Sequence, residues 1–340
     1  MKKKILVTGG TGYIGSHTIV DLLSNGFEVI SIDNYSRSDK SALQGIETIT
    51  GVNVRNYAID LCNYEDTRKV FLENKDIYGI IHFAAYKSVP ESVEFPLRYY
   101  ENNMFSLIHI LKCMEEFDIK HFVFSSSCSV YGNVTSLPVT EDTLLSKPEC
   151  AYAATKQMGE QVILDMAKKN QTFNFILLRY FNPVGAHPSA AIGEMPIMKP
   201  NNLVPLITQT AIGKLDKMYV WGNDYQTKDG SCIRDYIHVM DIADAHTKAL
   251  QYMMNHENSA NYEIFNLGTG EGVSVLEAIH TFEKMSGVKL NYEMGSRRDG
   301  DVEAVYADNQ KAKSLLRWNI QYSIEDMMDT AWKWQLKLGK

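Results

Sequence analysis

Short apolar runs rich in β-branched residues recur along the first half of the chain, and longer amphipathic stretches separate them. Runs of this length predict buried strands, and the spacers are long enough for crossover helices. The alternation is typical of a parallel sheet covered by helices on both faces, so it predicts a doubly wound α/β fold. The predicted strands lie at 4–8, 28–32, 54–59, 79–83, 121–126 and 174–180.

The pattern changes after residue 182. A loop rich in Pro, Gly and Asn extends to about residue 202, and helices and shorter strands follow it. We therefore predict a first domain at 1–182 and a smaller α/β domain at 183–340, with some segments returning to the first domain. A chain of 340 residues, 45% of them hydrophobic, can bury the core that such an arrangement needs. A ligand cleft is expected between the two domains.

Composition and charge exclude several classes of partner. The net charge of −7 provides no broad basic face, so a nucleic-acid backbone is not expected as the main partner. The apolar run at 5–7 is too short for a signal peptide or a membrane span, which predicts a cytoplasmic protein without membrane association. Five cysteines without a Cys-x-x-Cys pair fit free thiols, and they suggest neither disulfides nor a zinc site.

A glycine-rich turn follows the first predicted strand. Gly9, Gly10, Gly12 and Gly15 separate that strand from an amphipathic helix. Residues without a Cβ allow a tight turn, and a pyrophosphate can then approach the backbone N–H groups at the positive end of the helix. The strand, turn and helix together predict a dinucleotide site, and a merely structural loop is the alternative.

The second predicted strand is followed by Asp33, 18 residues after Gly15. A carboxylate at this place can bind the adenosine ribose hydroxyls and would repel a 2′-phosphate, so NAD is favoured over NADP. Arg37 is the one nearby feature that would favour the phosphate, and its alternative interpretation is a solvated loop charge. Asp60 and Phe83 follow later strands and can flank the adenine and phosphates, although Asp60 also suits a helix cap.

Candidate chemistry lies after the fifth predicted strand. Ser125, Ser126 and Ser127 reach the same edge of the sheet, and Tyr152 and Lys156 follow at i and i+4 on a predicted helix. A tyrosine that acts as a base near neutral pH needs its pKa lowered by about 2–3 units from about 10. An ammonium about 4 Å away contributes on the order of 4 kcal/mol at an effective dielectric of 20, so Lys156, helped by the positive nicotinamide of NAD, suffices in magnitude. One Tyr/Lys pair at this spacing is expected by chance. The pair becomes more significant because the serine-rich strand end and the glycine-rich turn occur in the same chain.

These segments carry a resemblance to a known family. The glycine turn GGTGYIGSH, the Ser-Ser-Ser strand end and YAATK resemble the extended short-chain dehydrogenase/reductase superfamily. Longer matches narrow this to the UDP-glucose 4-epimerase family, from the first strand to about Trp334: IHFAAYKSVPESVEFPLRYYENN, LLRYFNPVGAHPS, PNNLVP, DGSCIRDYIHVMD, IFNLGTG and RRDGD. The resemblance implies a Rossmann-like first domain with bound NAD, a second domain for a UDP-sugar, and interconversion of UDP-galactose and UDP-glucose through a 4-ketosugar.

The resemblance also implies roles for individual residues. Tyr152 would be the catalytic base, Ser127 its partner and Lys156 the group that lowers its pKa. Implied cofactor contacts are Gly9, Gly12, Tyr13, Ile14, Gly15, Asp33, Asn34, Asp60, Leu61, Phe83, Ala84, Lys87, Asn102, Ser127, Tyr152, Lys156 and Tyr180. Implied substrate contacts are Lys87, Ser127, Tyr152, Asn182, Asn202, Leu203, Tyr219, Trp221, Arg234, Tyr236, Arg298, Asp301 and Val305. The two arginines suit a diphosphate, with surface ion pairs as the alternative. No metal site is implied.

Two positions refine the expected activity. Family members vary near the sugar C2, where this chain has Val305, and a small side chain there implies room for the N-acetyl group of UDP-N-acetylglucosamine. Related dehydratases carry an acidic residue where this chain has Cys128 and Ser129, so epimerisation is preferred. A related sugar-nucleotide epimerase or dehydratase and an NAD-sensing regulatory protein stay as alternatives. The family also implies a homodimer through helices near 102–117 and 152–169.

Overall fold

The chain folds around a parallel sheet, and this computed structural model describes residues 2–134, 136–197, 200–298 and 302–339. Its strands are β1 (Lys4–Thr8), β2 (Glu28–Ile32), β3 (Arg55–Tyr57), β4 (Ile77–His82), β5 (His121–Ser127), β6 (Asn174–Tyr180), β7 (Asn182–Val184), β8 (Met218–Trp221), β9 (Ile233–Arg234), β10 (Tyr236–His238), β11 (Tyr262–Leu267), β12 (Val273–Ser274), β13 (Tyr292–Gly295) and β14 (Ala304–Val305). Its helices are α1 (Tyr13–Ser24), α2 (Ser41–Thr50), α3 (Tyr64–Glu73), α4 (Val89–Glu94), α5 (Pro96–Glu116), α6 (Ala151–Lys169), α7 (Leu203–Ala211), α8 (Val239–Met254), α9 (Val275–Ser286), α10 (Gln310–Leu315) and α11 (Ile324–Leu338).

Seven strands form the main sheet in the order β11-β6-β5-β4-β1-β2-β3, and every pair in it is parallel. The predicted doubly wound α/β fold is therefore confirmed. The prediction for β3 was too long, because only three residues pair with β2. The seventh strand, β11, was not predicted, and it joins the sheet beside β6 from the later part of the chain.

Alternation along the strands places the core on both faces of this sheet. Ile5 and Val7 of β1 pack in one apolar cluster with residues of α1, α2 and α8. Leu6, between them, packs in a second cluster with residues of α3, α5 and α6. Burial on both faces is what makes these strands read as continuous apolar runs. The carboxyl ends of β1, β4, β5 and β6 consequently meet at one edge between the two helix layers.

The later part of the chain adds small sheets beside that edge. β10 pairs with β7, β13 pairs with β8, and β9 lies between β12 and β14. Helices α7, α9 and α11 pack against them through residues such as Val204, Phe282 and Met328. The division at residue 182 stays a prediction, since β11 and α8 also pack with the main sheet. Across the described residues, each helix is too short or too polar to cross a bilayer.

Candidate active site

The glycine turn connects β1 to α1 at the carboxyl edge of the sheet. Gly9 has φ +69°, and a Cβ built on it would lie 2.9 Å from the Ala84 nitrogen, at the end of β4. A Cβ on Gly15 would lie 2.2 Å from the Gly9 carbonyl oxygen. The Gly12 N–H donates to that oxygen at 3.1 Å and α1 begins at the next residue, Tyr13. Backbone N–H groups of the first turn of α1 are thus presented at a surface that side chains cannot crowd, which is the geometry that binds a pyrophosphate.

Asp33 organises the loop after β2 and connects it to the glycine turn. Its Oδ2 accepts from the Thr11 N–H at 3.1 Å, and its Oδ1 accepts from the Ser38 hydroxyl at 2.8 Å. The neighbouring Asn34 is exposed. The alternative interpretation of Arg37 as a solvated loop charge was wrong, because its guanidinium pairs with Glu91 and lies 4.7 Å from the centre of the Tyr86 ring.

Asp60 does not cap the helix that follows it, so that alternative was wrong. Asn63 caps α3, because its side chain accepts from the Asp66 N–H at 3.2 Å. Asp60 Oδ1 instead accepts from the Cys62 N–H at 2.9 Å and closes a turn. The Cys62 thiol in turn lies 3.7 Å from the Asn102 carbonyl oxygen, so Asp60 and Asn102 belong to neighbouring segments. Leu61, between Asp60 and Cys62 in the sequence, is buried.

The segment after β4 lies between the glycine turn and α6. Ala84 N–H donates to the Thr8 hydroxyl at 3.3 Å, and the Phe83 ring packs 4.6 Å from the ring of His246. Asn103, which was not predicted as a site residue, fixes this segment: its Oδ1 accepts from the Tyr86 N–H at 2.8 Å, and its Nδ2 donates to the Thr155 hydroxyl at 3.0 Å. Its only sequence signal was its position beside Asn102.

Ser127, Tyr152 and Lys156 meet at the ends of β5 and β6. Ser127 is the last residue of β5, and α6 carries Tyr152 and Lys156 one turn apart. The buried Lys156 ammonium donates to the Ser125 carbonyl oxygen at 2.5 Å and lies 5.9 Å from the centre of the Tyr152 ring. The Tyr180 hydroxyl, from the end of β6, shares a hydrogen bond with the Ser125 hydroxyl. The structure therefore brings together the hydroxyl, phenol and ammonium that the sequence singled out.

Burial dominates the electrostatics of this group. Burial raises the pKa of Tyr152 to about 12, and a hydrogen bond with Ser127 acts in the opposite direction. Burial lowers the pKa of Lys156 to about 8, although Glu160 opposes the change. The lowering of the Tyr152 pKa by Lys156 together with bound NAD stays a prediction. In the protein alone, desolvation of the phenol dominates, and the Lys156 ammonium donates to the Ser125 carbonyl.

A buried ion pair supports the catalytic face of α6. Glu160, one turn beyond Lys156, accepts two hydrogen bonds from the Arg179 guanidinium, at 2.9 and 2.6 Å. The Ser126 hydroxyl donates to the same carboxylate at 2.5 Å. The pair fastens α6 to both β5 and β6, so it fixes the positions of the residues that carry the chemistry. The pair was not predicted from the sequence, although Tyr152, Lys156 and Glu160 share one helix face at intervals of four.

On the other side of the edge, Lys87 and Asn202 both contact Glu194, which sequence analysis also missed. The Lys87 ammonium lies 3.3 Å from Glu194 Oε1, and Asn202 Nδ2 donates to the same oxygen at 2.8 Å. Lys87 lies 5.9 Å from the centre of the Tyr13 ring, whose hydroxyl donates to the Gly185 carbonyl at 2.6 Å. Leu203, the residue after Asn202, begins α7. Ile14, on α1, packs against the apolar cluster that contains Ile5 and Val7.

The predicted diphosphate residues form two groups. Arg298 lies 5.0 Å from the centre of the Trp221 ring, which stacks on Tyr219. Arg234 donates to the Val302 carbonyl at 2.9 Å, and in the β9/β14 pairing it lies opposite the buried Val305. The choice between diphosphate contacts and surface ion pairs stays a prediction for these two arginines.

Two further substrate candidates lie side by side. Asn182 pairs with the buried Tyr236 in the β7/β10 register, close to the end of β6. Asp301 lies outside the described residues.

Among the residues that the structure describes, His, Cys, Asp and Glu form no group able to hold a metal ion. The glycine turn, the open start of α1 and the carboxylate after β2 fit a dinucleotide, and the Ser127, Tyr152 and Lys156 set fits proton transfer beside it.

Comparison with known proteins covers almost the whole chain. A family model described as GDP-mannose 4,6 dehydratase matches residues 6–331. A UDP-glucose 4-epimerase from Bacillus subtilis is 47% identical over 331 residues, which is 97% of this chain and 96% of that protein. A UDP-glucose 4-epimerase from Stenotrophomonas maltophila, solved with NAD and formylated UDP-arabinopyranose, has a TM-score of 0.95 at 41% identity, covering 99% of this chain and 98% of that one. Another from Bifidobacterium longum, solved with NAD⁺ and UDP, has a TM-score of 0.93 at 42% identity, with 98% of each chain covered.

Proposed function

This chain belongs to the UDP-glucose 4-epimerase family of the short-chain dehydrogenase/reductase superfamily, and we propose on that basis that it interconverts UDP-galactose and UDP-glucose. The observation that carries the proposal is the convergence of Ser127, Tyr152 and Lys156 at the edge that also holds the glycine turn. Likeness to the relatives alone would leave the reacting groups unassigned.

NAD is the proposed cofactor. Relatives of known structure were solved with it, and Asp33 beside the glycine turn suits an unphosphorylated adenosine ribose. When bound, NAD would accept the hydride from the sugar C4 and return it to the opposite face, and its positively charged nicotinamide would lower the pKa of Tyr152. Because the reaction consumes no net oxidant, the nucleotide can stay bound between turnovers.

The protein's own residues handle the proton. Tyr152 removes the proton of the sugar 4-hydroxyl, Ser127 shares that proton at the end of β5, and the Lys156 ammonium stabilises the phenolate. Return of the proton after the 4-ketosugar has turned completes the inversion. The UDP group tethers the sugar throughout, through Lys87, Asn202, Arg234 and Arg298, because guanidinium groups donate paired hydrogen bonds to diphosphate oxygens.

We also propose that N-acetylated UDP-sugars are accepted. Val305 packs in an apolar cluster with Val130 and Tyr131, which follow Ser127 at the end of β5. Cys128 packs against the same cluster. A valine there leaves more room than an aromatic side chain. Val305→Tyr should lower turnover of UDP-N-acetylglucosamine relative to UDP-glucose by about tenfold or more, with Val305→Leu as the control. An unchanged ratio in the tyrosine variant would contradict this part of the proposal.

A cytoplasmic homodimer is the proposed assembly. Exposed apolar side chains lie on α5 and α6, with Leu97 80%, Phe105 46% and Met158 45% accessible, and such side chains are suited to an interface between helices. Light scattering should give twice the chain mass for the wild type, and Phe105→Glu should reduce it toward one chain. The free cysteines fit a reducing compartment.

The deciding experiment is incubation of the purified protein with UDP-galactose and no added NAD. UDP-glucose should accumulate, and acid extraction should release NAD. A deoxy ketosugar would instead indicate a dehydratase, the activity for which the matching family model is named. We expect none, because the group just beyond Ser127 is Cys128, whose pKa burial raises to about 12, rather than a carboxylic acid. Nucleotide binding without any product would favour a regulatory protein.

A further inference from the structure

Arg37 lies next to the proposed ribose-binding carboxylate. Its neighbour Ser38 donates to Asp33 Oδ1 at 2.8 Å, and the Thr11 N–H of the glycine turn donates to Oδ2 at 3.1 Å. The loop is thereby closed against the turn, with residue 37 one position from a direct contact to Asp33. An arginine in this place is the chemistry that accommodates a 2′-phosphate. The neighbourhood therefore contains one group that disfavours NADP and one that would favour it.

The Arg37 guanidinium, however, is engaged by other groups of the protein. It pairs with Glu91 at the start of α4, and it lies 4.7 Å from the centre of the Tyr86 ring. Its side chain is 28% exposed and that of Glu91 is 11% exposed, so the pair is largely shielded from water. An arginine stacked on a ring and paired with a shielded carboxylate has little tendency to leave for another anion.

Glu91 is itself fixed by its neighbours. The hydroxyl of the fully buried Tyr99 donates to Glu91 Oε2 at 2.9 Å, and Arg98 donates to Oε1 at 3.2 Å. The Glu91 N–H also donates to the Ser88 hydroxyl, which caps α4. Burial opposes ionisation of Glu91, but hydrogen bonds from Arg37 and Tyr99 outweigh it, so the pKa of Glu91 is lowered and its carboxylate stays charged at neutral pH.

We propose that Glu91 determines cofactor specificity: by holding Arg37 against Tyr86, it withholds from a 2′-phosphate the cation that would otherwise bind it. This inference rests on the proposed function, because it concerns the same nucleotide site. Asp33 disfavours NADP by repulsion, whereas Glu91 removes an attraction.

The test compares which nucleotide the protein retains. Wild-type and variant proteins are first freed of the nucleotide that purifies with them, then incubated with equal, excess NAD and NADP and freed of unbound nucleotide. The bound nucleotide is then extracted with acid and quantified. Glu91→Gln should raise the retained NADP-to-NAD ratio about tenfold, since one charge-assisted contact to phosphate becomes available. Glu94→Gln removes an exposed carboxylate from the same helix and should leave the ratio at the wild-type value.

A second substitution assigns the effect to the arginine. In the double variant Glu91→Gln with Arg37→Gln, the ratio should return to the wild-type value. Tyr86→Leu removes the ring beneath Arg37 but keeps the backbone bonds to Asn103, and it should raise the ratio about threefold. Tyr86→Leu therefore tests the inference even if Glu91→Gln does not fold.

The outcomes separate the two claims. If the wild type retains no nucleotide and does not convert UDP-galactose, the proposed function fails. If the wild type retains NAD and is active, but the ratio is the same in Glu91→Gln, Tyr86→Leu and Glu94→Gln, the role of Glu91 is overturned and the proposed function stands. A raised ratio that persists without Arg37 would also overturn it.

Discussion

The two sides of the candidate site are built differently. On the catalytic side, Ser127 and Lys156 are buried, and the Glu160 and Arg179 pair behind them is 5% and 3% exposed. On the side proposed for the sugar nucleotide, Lys87 is 56% exposed, and its partner Glu194, which is 15% exposed, accepts from both Lys87 and Asn202 through one oxygen. One side is held by groups that water does not reach, and the other presents groups that pair with one another at the surface.

The cost of breaking an ion pair differs between the two sides. Breaking a buried pair by removing one partner costs about 3–5 kcal/mol, whereas an exposed pair is worth about 0–1 kcal/mol. The catalytic side can therefore hold its geometry while protons move, and the binding side can exchange an internal carboxylate for a phosphate at little cost. Rigidity is placed where atoms must be aligned, and exchangeable contacts are placed where a ligand must enter and leave.

Removal of the catalytic phenol should have the largest effect. Tyr152→Phe keeps the ring but loses the group that moves the proton, so turnover of UDP-galactose should fall by about 10²–10⁴-fold with the bound nucleotide retained. Initial rates of UDP-glucose formation measure the loss. Tyr64→Phe, which removes a hydroxyl on α3, is the control. Turnover within a few-fold of wild type would remove Tyr152 from the mechanism.

Breaking the buried support should have the next largest effect. Glu160→Gln keeps the shape of the side chain but leaves the Arg179 charge uncompensated, so the free energy of unfolding should fall by about 3 kcal/mol. Urea denaturation measures it. Glu116→Gln, which removes the exposed partner of Arg68, should leave stability near the wild-type value. Equal losses in the two variants would abolish the distinction between buried and exposed pairs.

The third effect is on pH dependence. Burial lowers the pKa of Lys156 to about 8, so the ammonium loses its proton as pH rises through that value, and turnover should fall about tenfold for each further pH unit. Lys156→Arg, whose guanidinium stays charged, should be slower but should show that fall only at higher pH. A log kcat profile from pH 6 to 10 makes the comparison. An unchanged alkaline limb in the arginine variant would assign it to another group.

The smallest effect is expected on the exposed side. Glu194→Gln frees Lys87 from its ion pair, so the KM for UDP-galactose should fall about threefold with kcat unchanged. Glu73→Gln, which removes a more exposed carboxylate, the partner of Arg55, is the control. A loss of stability comparable to that of Glu160→Gln would show that this pair is structural and that the two sides do not differ as described.

Local signals allowed most of the fold and the centre of the site to be predicted from the sequence. Strand, turn and helix at 4–24 are contiguous, and Tyr152 and Lys156 are four residues apart, so pattern and spacing suffice for both. β11 was missed because Glu263 and Asn266 interrupt its apolar pattern. Both are satisfied by tertiary contacts: Glu263 accepts the Ser259 N–H at 2.8 Å, and Asn266 accepts the Tyr131 hydroxyl at 2.6 Å.

Side-chain contacts between distant segments were not predicted, because no local pattern reports on them. Arg37 and Glu91 are 54 positions apart, and Lys87 and Glu194 are 107 apart, so no periodicity connects them. The burial that raises the pKa of Tyr152 was not predicted either, because the cost of burying a phenol depends on packing that spacing does not describe. The sequence thus supported residue identities better than their electrostatic state.

The position of β11 in the sheet has a practical consequence for anyone who divides this protein. A fragment ending at residue 182 would lack both β11, which covers the edge of β6, and α8, which packs on one face of the sheet. The backbone groups of β6 that pair with β11 would then face solvent along an apolar strand, a template for pairing with other chains. Such a fragment should aggregate on expression, so nucleotide binding is best studied in the full-length protein.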